Sequence, residues 1–169
     1  LPDCSALSGI SSDSERLLCA RASVQSGSAQ ALIEAIELVE PWQQSHPMYG
    51  EASRLMNRWS QALLVELEKM VQRGERARAL ALAARIPERV EAYPEVKSAI
   101  ATWDKEWSVG GEVSTNVAKA IKARDWVAAR REVQRLKILN SNYWVLTRHN
   151  QLKARLDREI GRAACRERG

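Results

Sequence analysis

Phenylalanine is absent from this chain, and six tryptophans supply the bulky packing groups in its place. No stretch approaches the about 20 consecutive apolar residues of a membrane-crossing helix, so this chain holds no such segment. No segment alternates apolar and polar residues between turn signals, so no strand is expected. The two histidines, His46 and His149, stand far apart. Neither lies at ligand spacing from a cysteine, and no metal site is expected. Catalytic signatures are missing too. There is no His-Glu-x-x-His, no Gly-rich phosphate loop ending in Lys-Ser or Lys-Thr, no Gly-x-Ser-x-Gly and no dinucleotide glycine fingerprint. The chain therefore offers no catalytic residue and no cofactor site. Nor does it begin with methionine; Leu1 marks a processed, trimmed or partial sequence.

What the chain does hold is a repeat. Its three tyrosines fall at one position of a recurring unit, with Tyr49 leading to Trp59 and Tyr93 to Trp103. Tyr143 opens a third segment, with Lys153 where the tryptophan would stand. A second landmark matches Val24-Gln25-Ser26-Gly27 to Val71-Gln72-Arg73-Gly74, with Arg124 in the third copy. Counting from those turn positions gives four apolar columns: Val24, Val71 and Ile121; Leu32, Ala79 and Ala129; Ile36, Ala83 and Val133; and Val39, Ile86 and Leu136, the last three forming one stripe. Their i, i+4, i+7 spacing is one face of a helix. The landmarks lie 44 to 50 residues apart, a period that reads as stacked helical hairpins. The expected fold is all-α, an α-solenoid of about three hairpins.

Local signals place the elements. Ser12-Asp13-Ser14-Glu15 has capping-box spacing, so a first helix is expected to about Gln25, after a lead-in over residues 1–11. The others are expected near Ser28–Val39, Met48–Arg73, Glu75–Ile86, Pro94–Ser108, Glu112–Ala123, Asp125–Leu139 and Asn142–Ile160. Pro41 and Pro87 act as stops and Gly74 as a C-terminal cap. Asp125 and Asn142 are expected N-caps. Gly110-Gly111 is expected to break the third long helix, as an insertion of about six residues relative to the previous copy. Residues 12–160 read as a single repeat domain, a piece of a longer protein.

The segment Gly161–Gly169 departs from the helical pattern. It resembles translated sequencing adapter, and is set apart as a non-native tail. Its Arg162, Arg166 and Arg168 against Glu167 account for +2 of the formal charge of +5. The rest is uneven: residues 1–70 carry five basic and nine acidic side chains. Residues 119–137 carry Lys119, Lys122, Arg124, Arg130, Arg131, Arg135 and Lys137 against Asp125 and Glu132. Trp126 sits inside that segment. An aromatic among lysines and arginines is the composition of a polyanion or nucleic-acid patch. The solvated outer face of a helix pair has the same composition.

Trp59 and Trp103 lie on apolar stripes and are expected in the core. Trp42 and Trp126 lie near turns and are expected to be partly exposed. The tyrosines each open a helix and read as structural. Cys4 and Cys19 are the one plausible covalent pair. A disulfide there would imply an oxidising compartment; a pair of free thiols fits the spacing as well.

The period is too long for the standard tetratricopeptide, and the Trp-x-x-Leu-Gly signature is missing. The small residues after each turn still resemble that class of α-hairpin. More closely, Ala83-Ala84-Arg85-Ile86-Pro87 followed by Tyr93 to Trp103 resembles a helical-repeat family found in cyanobacterial proteins. Asp3-Cys4-Ser5 with Glu15-Arg16-Leu17-Leu18-Cys19-Ala20 is similar to that family's repeat start. The resemblance spans about residues 3–160. It implies no catalytic residue, and it implies a membrane anchor upstream in the full-length protein. The expected function is a protein-protein interaction scaffold, with polyanion binding through residues 119–137 as the alternative.

Overall fold

The computed structural model describes residues 3–5 and 12–169, and all regular structure among them is helical. The α-helices are α1 (Asp13–Ser23), α2 (Ala29–Val39), α3 (Tyr49–Gln72), α4 (Arg76–Ala83), α5 (Tyr93–Lys122), α6 (Trp126–Arg135) and α7 (His149–Arg168). Short 3-10 turns follow α1 and α6, and a π-helix, Tyr143–Arg148, leads into α7. Only Asp3, Cys4 and Ser5 of the expected lead-in belong to the described residues. Packing divides the chain into two compact units. One is Leu1–Met70 with Glu75–Ile100; the other is Val71–Gly74 with Ala101–Gly169.

The caps explain where the helices start. Ser12 accepts the Glu15 N–H at 3.2 Å, Ser28 the Ala31 N–H at 3.1 Å, and Asp125 the Ala128 N–H at 3.1 Å. Each satisfies an N–H that has no partner in the first turn, for about 1 kcal/mol. Asn142 does not act this way. It precedes the π-helix but its side chain makes no capping bond. Its own N–H instead donates to Gln72 Oε1 at 2.6 Å, so that helix start is held by a side chain from the end of α3.

Three residues have left-handed backbone: Gly27 (φ 69°), Gly74 (φ 86°) and Arg124 (φ 54°). They are the three positions that the sequence aligns as turns. After α3, the Glu75 N–H returns to the Met70 carbonyl and the Gly74 N–H to Val71, both at 2.9 Å. After α5, Asp125 returns to Ala120 at 2.9 Å and Arg124 to Ile121 at 3.0 Å. Both ends are Schellman caps with identical offsets. All nine residues of the last three apolar columns are buried, none more than 4% exposed; of the first column Val71 is buried, while Val24 and Ile121 are only half-buried.

Unit one packs α1 against α2 around Ile33, Ile36 and Val39, with Met56, Trp59 and Leu63 of α3 also buried. Arg21 pairs with Glu51 and Arg85 with Glu37. Trp42 is not partly exposed as expected. It is 7% exposed and stacks on His46, with ring centroids 4.7 Å apart. That ring is fixed from both sides. Its Nδ1 accepts the Met48 N–H at 3.0 Å, so Nε2 carries the proton toward Asp13, 2.7 Å away.

In unit two, Gly110-Gly111 does not break the chain; α5 runs 30 residues through it. The expected extra length is there, as six more helical residues than the 24 of α3. Gly110 is a packing glycine. A Cβ on it would lie 2.5 Å from the Trp144 ring, so only hydrogen lets that ring lie against the helix. The helix does not stop at Gly161 either. It continues to Arg168, with Ala163 8% exposed, because one unpacked glycine costs a helix only about 1 kcal/mol.

Candidate functional site

The residues of the expected polyanion patch have different fates. Lys119, Lys122, Arg124, Arg130, Arg131 and Lys137 are exposed. Lys119 and Lys122 lie on the last turns of α5, Arg124 in the turn, Arg130 and Arg131 on α6, and Lys137 in the 3-10 turn. Arg135 is neutralised. It donates to Glu132 at 2.8 Å and to Glu112 at 3.3 Å. Those two carboxylates, Glu132 first, raise its pKa further above the ordinary arginine value. Glu132 also accepts from Asn116 at 3.2 Å, so a polar network joins α5 to α6 along this flank. Trp126 is half-buried against a core that includes Ala129 and Val133. Its remaining surface is exposed, the partial exposure expected from its place near a turn.

At the far end of α6 the chain opens into a cleft of about 460 Å³, within the range of ligand pockets. Its walls include Val109, Leu139 and Ile138, with Lys105 and Arg135 among its residues and Glu106 inside. Ile138 is 84% exposed, the most exposed large apolar side chain described. Glu106 is the opposite, a carboxylate only 6% exposed. Its Oε1 accepts the backbone N–H of Asn140 and, at 3.3 Å, that of Ser141. It thus holds the loop that follows α6.

Next to Glu106 along α5, Trp107 belongs to an aromatic cluster that the sequence did not signal. Trp107 stacks on Tyr143 with centroids 5.4 Å apart, and Trp144 meets both edge-on at 5.4 and 5.0 Å. Two glycines make room for it: Gly110 faces Trp144, and Gly74 faces the Tyr143 ring, 2.5 Å from where a Cβ would be. The π-helix sets the orientation of the neighbouring residues. Its last bond runs from the His149 N–H to the Trp144 carbonyl, five residues back. In an α-helix those two side chains would diverge by about 140°. Here both are buried, at 4% and 5% exposed.

The missed residue was Glu106. One signal could have found it: it sits three residues after Trp103 and four before Gly110, a charge on an apolar helix face. Trp103 and Trp107 dominate that stripe and mask the charge.

Cys4 and Cys19 are disulfide-bonded, with Cα atoms 5.3 Å apart. Asp3 folds back beside them, accepting the Ser5 hydroxyl at 2.6 Å and its N–H at 3.0 Å. Both bonds, the hydroxyl first, hold its carboxyl below the usual range. Among the described residues no group of three or more His, Cys, Asp or Glu is placed to hold a metal ion. No helix among them is long and apolar enough to cross a membrane. No family model matches the chain, and no curated protein or solved structure matches it.

Proposed function

We propose that this chain is a helical-hairpin repeat module, tetratricopeptide-like in kind, that binds a protein partner and does no chemistry of its own. The repeat is supported by the equal caps at Gly74 and Arg124 and by the nine buried column residues. The binding reading rests on one observation, the cleft at the end of α6 with Ile138 exposed at its wall. A large aliphatic side chain held in water beside a concave, mainly apolar surface is the make-up of an interaction site. The Cys4–Cys19 bond supports an oxidising compartment, consistent with a module presented outside the cytoplasm.

A second reading, polyanion binding, draws on the six exposed cations between residues 119 and 137. Against it stand the paired Arg135 and the packed Trp126. A salt titration separates the two. Partner binding should depend weakly on salt and survive neutralising Lys122, Arg130 and Arg131 together. Polyanion binding should fall steeply between about 50 and 200 mM salt and be lost in that triple variant. A tight, steeply salt-dependent complex with single-stranded DNA, abolished by the three substitutions, would overturn the first reading.

A further inference from the structure

Glu106 is the one carboxylate among the described residues that is more than nine-tenths buried, and it makes no ion pair. A carboxylate this enclosed has few water contacts to satisfy it, so its protein donors matter. Both donors, the Asn140 and Ser141 N–H groups, end on Oε1. That leaves Oε2 without a hydrogen bond to the protein in a residue that lines the cleft; it is not one of the fully enclosed unpartnered atoms, so it is open to an incoming donor. Nothing about the cap itself demands a charge. In unit one the N–H of Ala92, just ahead of Tyr93, is satisfied by the neutral amide of Asn57 at 2.8 Å. The cations near the cleft do not supply the missing partner. Arg135 is engaged by Glu132 and Glu112, and Lys105 makes no ion pair with Glu106.

We propose that the cleft receives a single arginine or lysine side chain of a protein partner, its cationic head on Glu106 Oε2. The aliphatic stem would lie along Val109, Leu139 and Ile138, as long cationic side chains do when only the head is polar. Arginine fits better than lysine, because its planar fork can reach a carboxylate while keeping further donors for the loop carbonyls. Lys105 in the cleft disfavours a run of basic residues, so the partner presents one cation among apolar neighbours. This proposal rests on the interaction reading above and specifies the chemistry that the same cleft recognises.

The test measures fluorescence anisotropy of a short labelled peptide with one central arginine flanked by leucines. Controls carry citrulline, the neutral isostere, or glutamate at the centre, and a labelled single-stranded oligonucleotide completes the set. The arginine peptide should bind the whole chain at least about tenfold more tightly than the citrulline peptide. Glu106→Gln keeps an oxygen for the Asn140 and Ser141 N–H groups, so thermal unfolding should show an unchanged fold. It should erase the preference for arginine without weakening the citrulline peptide. Equal binding of arginine and citrulline peptides, or an arginine affinity untouched by Glu106→Gln, overturns the proposal. Binding of the glutamate peptide alone, abolished by Ile138→Asp, would sink the Glu106 assignment and leave the interaction reading standing. Binding of the oligonucleotide alone would remove both.

Discussion

The loops that lead to Tyr93 and to Tyr143 meet the same demand with different chemistry. In unit one, the Ala92 N–H ends on the neutral Asn57, and Arg89 ties the loop down by donating to the Glu40 carbonyl at 2.6 Å, 5.0 Å from the Tyr49 ring. In unit two, the Asn142 N–H ends on Gln72, and the two N–H groups before it end on a buried carboxylate. After the first loop a regular α-helix follows; after the second, a π-helix and an aromatic cluster. The difference teaches that a helix start needs an acceptor, not a charge. The charge at Glu106 goes beyond that need, and it lies in the wall of a cleft.

What the two units share should be tested first, because its effects are largest. Trp59 and Trp103, each ten residues after a tyrosine, are 5% and 2% exposed. Replacing either with alanine should cost about 3–5 kcal/mol, the transfer loss plus the cavity. Chemical denaturation would measure both. An effect several-fold smaller at one site would mean that the two positions are not equivalent, and the comparison would break there.

The next largest effect belongs to the feature that only unit two has. Gly110→Ala should destabilise by about 1–3 kcal/mol, reversing the usual gain of alanine in a helix. The Trp144 ring cannot swing aside, since Trp107 and Tyr143 hold it edge-on. Gly111 is the control on the same turn. Nothing lies within 4 Å of its added Cβ, so Gly111→Ala should stabilise by up to about 1 kcal/mol. Equal effects at the two glycines would mean that the Trp144 contact does not set the path of α5.

A smaller effect tests the neutral cap. Asn57→Ala leaves the N–H of the buried Ala92 without its acceptor and should cost about 1 kcal/mol. Hydrogen exchange should speed up at Ala92. If it does not, water substitutes there, and the loops of the two units differ more than their bonding suggests.

Much of this architecture was legible in the sequence because period and punctuation are local signals. Three of the four aligned columns name residues that are all buried, the fourth leaves Val24 and Ile121 half-buried beside the turns, and the aligned turns name the three left-handed positions. Gly110 was misread because a glycine pair looks the same whether it breaks a helix or admits a ring from a residue 34 positions later. The same holds for Trp42, whose place beside a turn says nothing of the stacked His46. Glu106 shows in the sequence only as a charge on an apolar helix face; its role does not, because its partners are backbone N–H groups in a distant loop, and backbone leaves no mark in composition. The basic segment was plain as a charge count, yet the count could not show that Arg135 is already paired.

The smallest effect probes the turns themselves. Gly74 and Arg124 hold equivalent cap positions, but only glycine adopts that backbone without strain. Arginine at φ 54° carries a left-handed penalty of about 1–2 kcal/mol. Against this, glycine frees more of the unfolded chain, at about 0.5–1 kcal/mol. Arg124→Gly should therefore stabilise by less than about 1 kcal/mol, and it removes one cation from the basic segment. Gly74→Ala should go the other way, through the strained φ and through the Tyr143 ring that its Cβ would meet at 2.5 Å. If Arg124→Gly instead destabilises clearly, the arginine side chain is contributing at the turn. The third copy would then depart from the second at the one place where their backbones agree best.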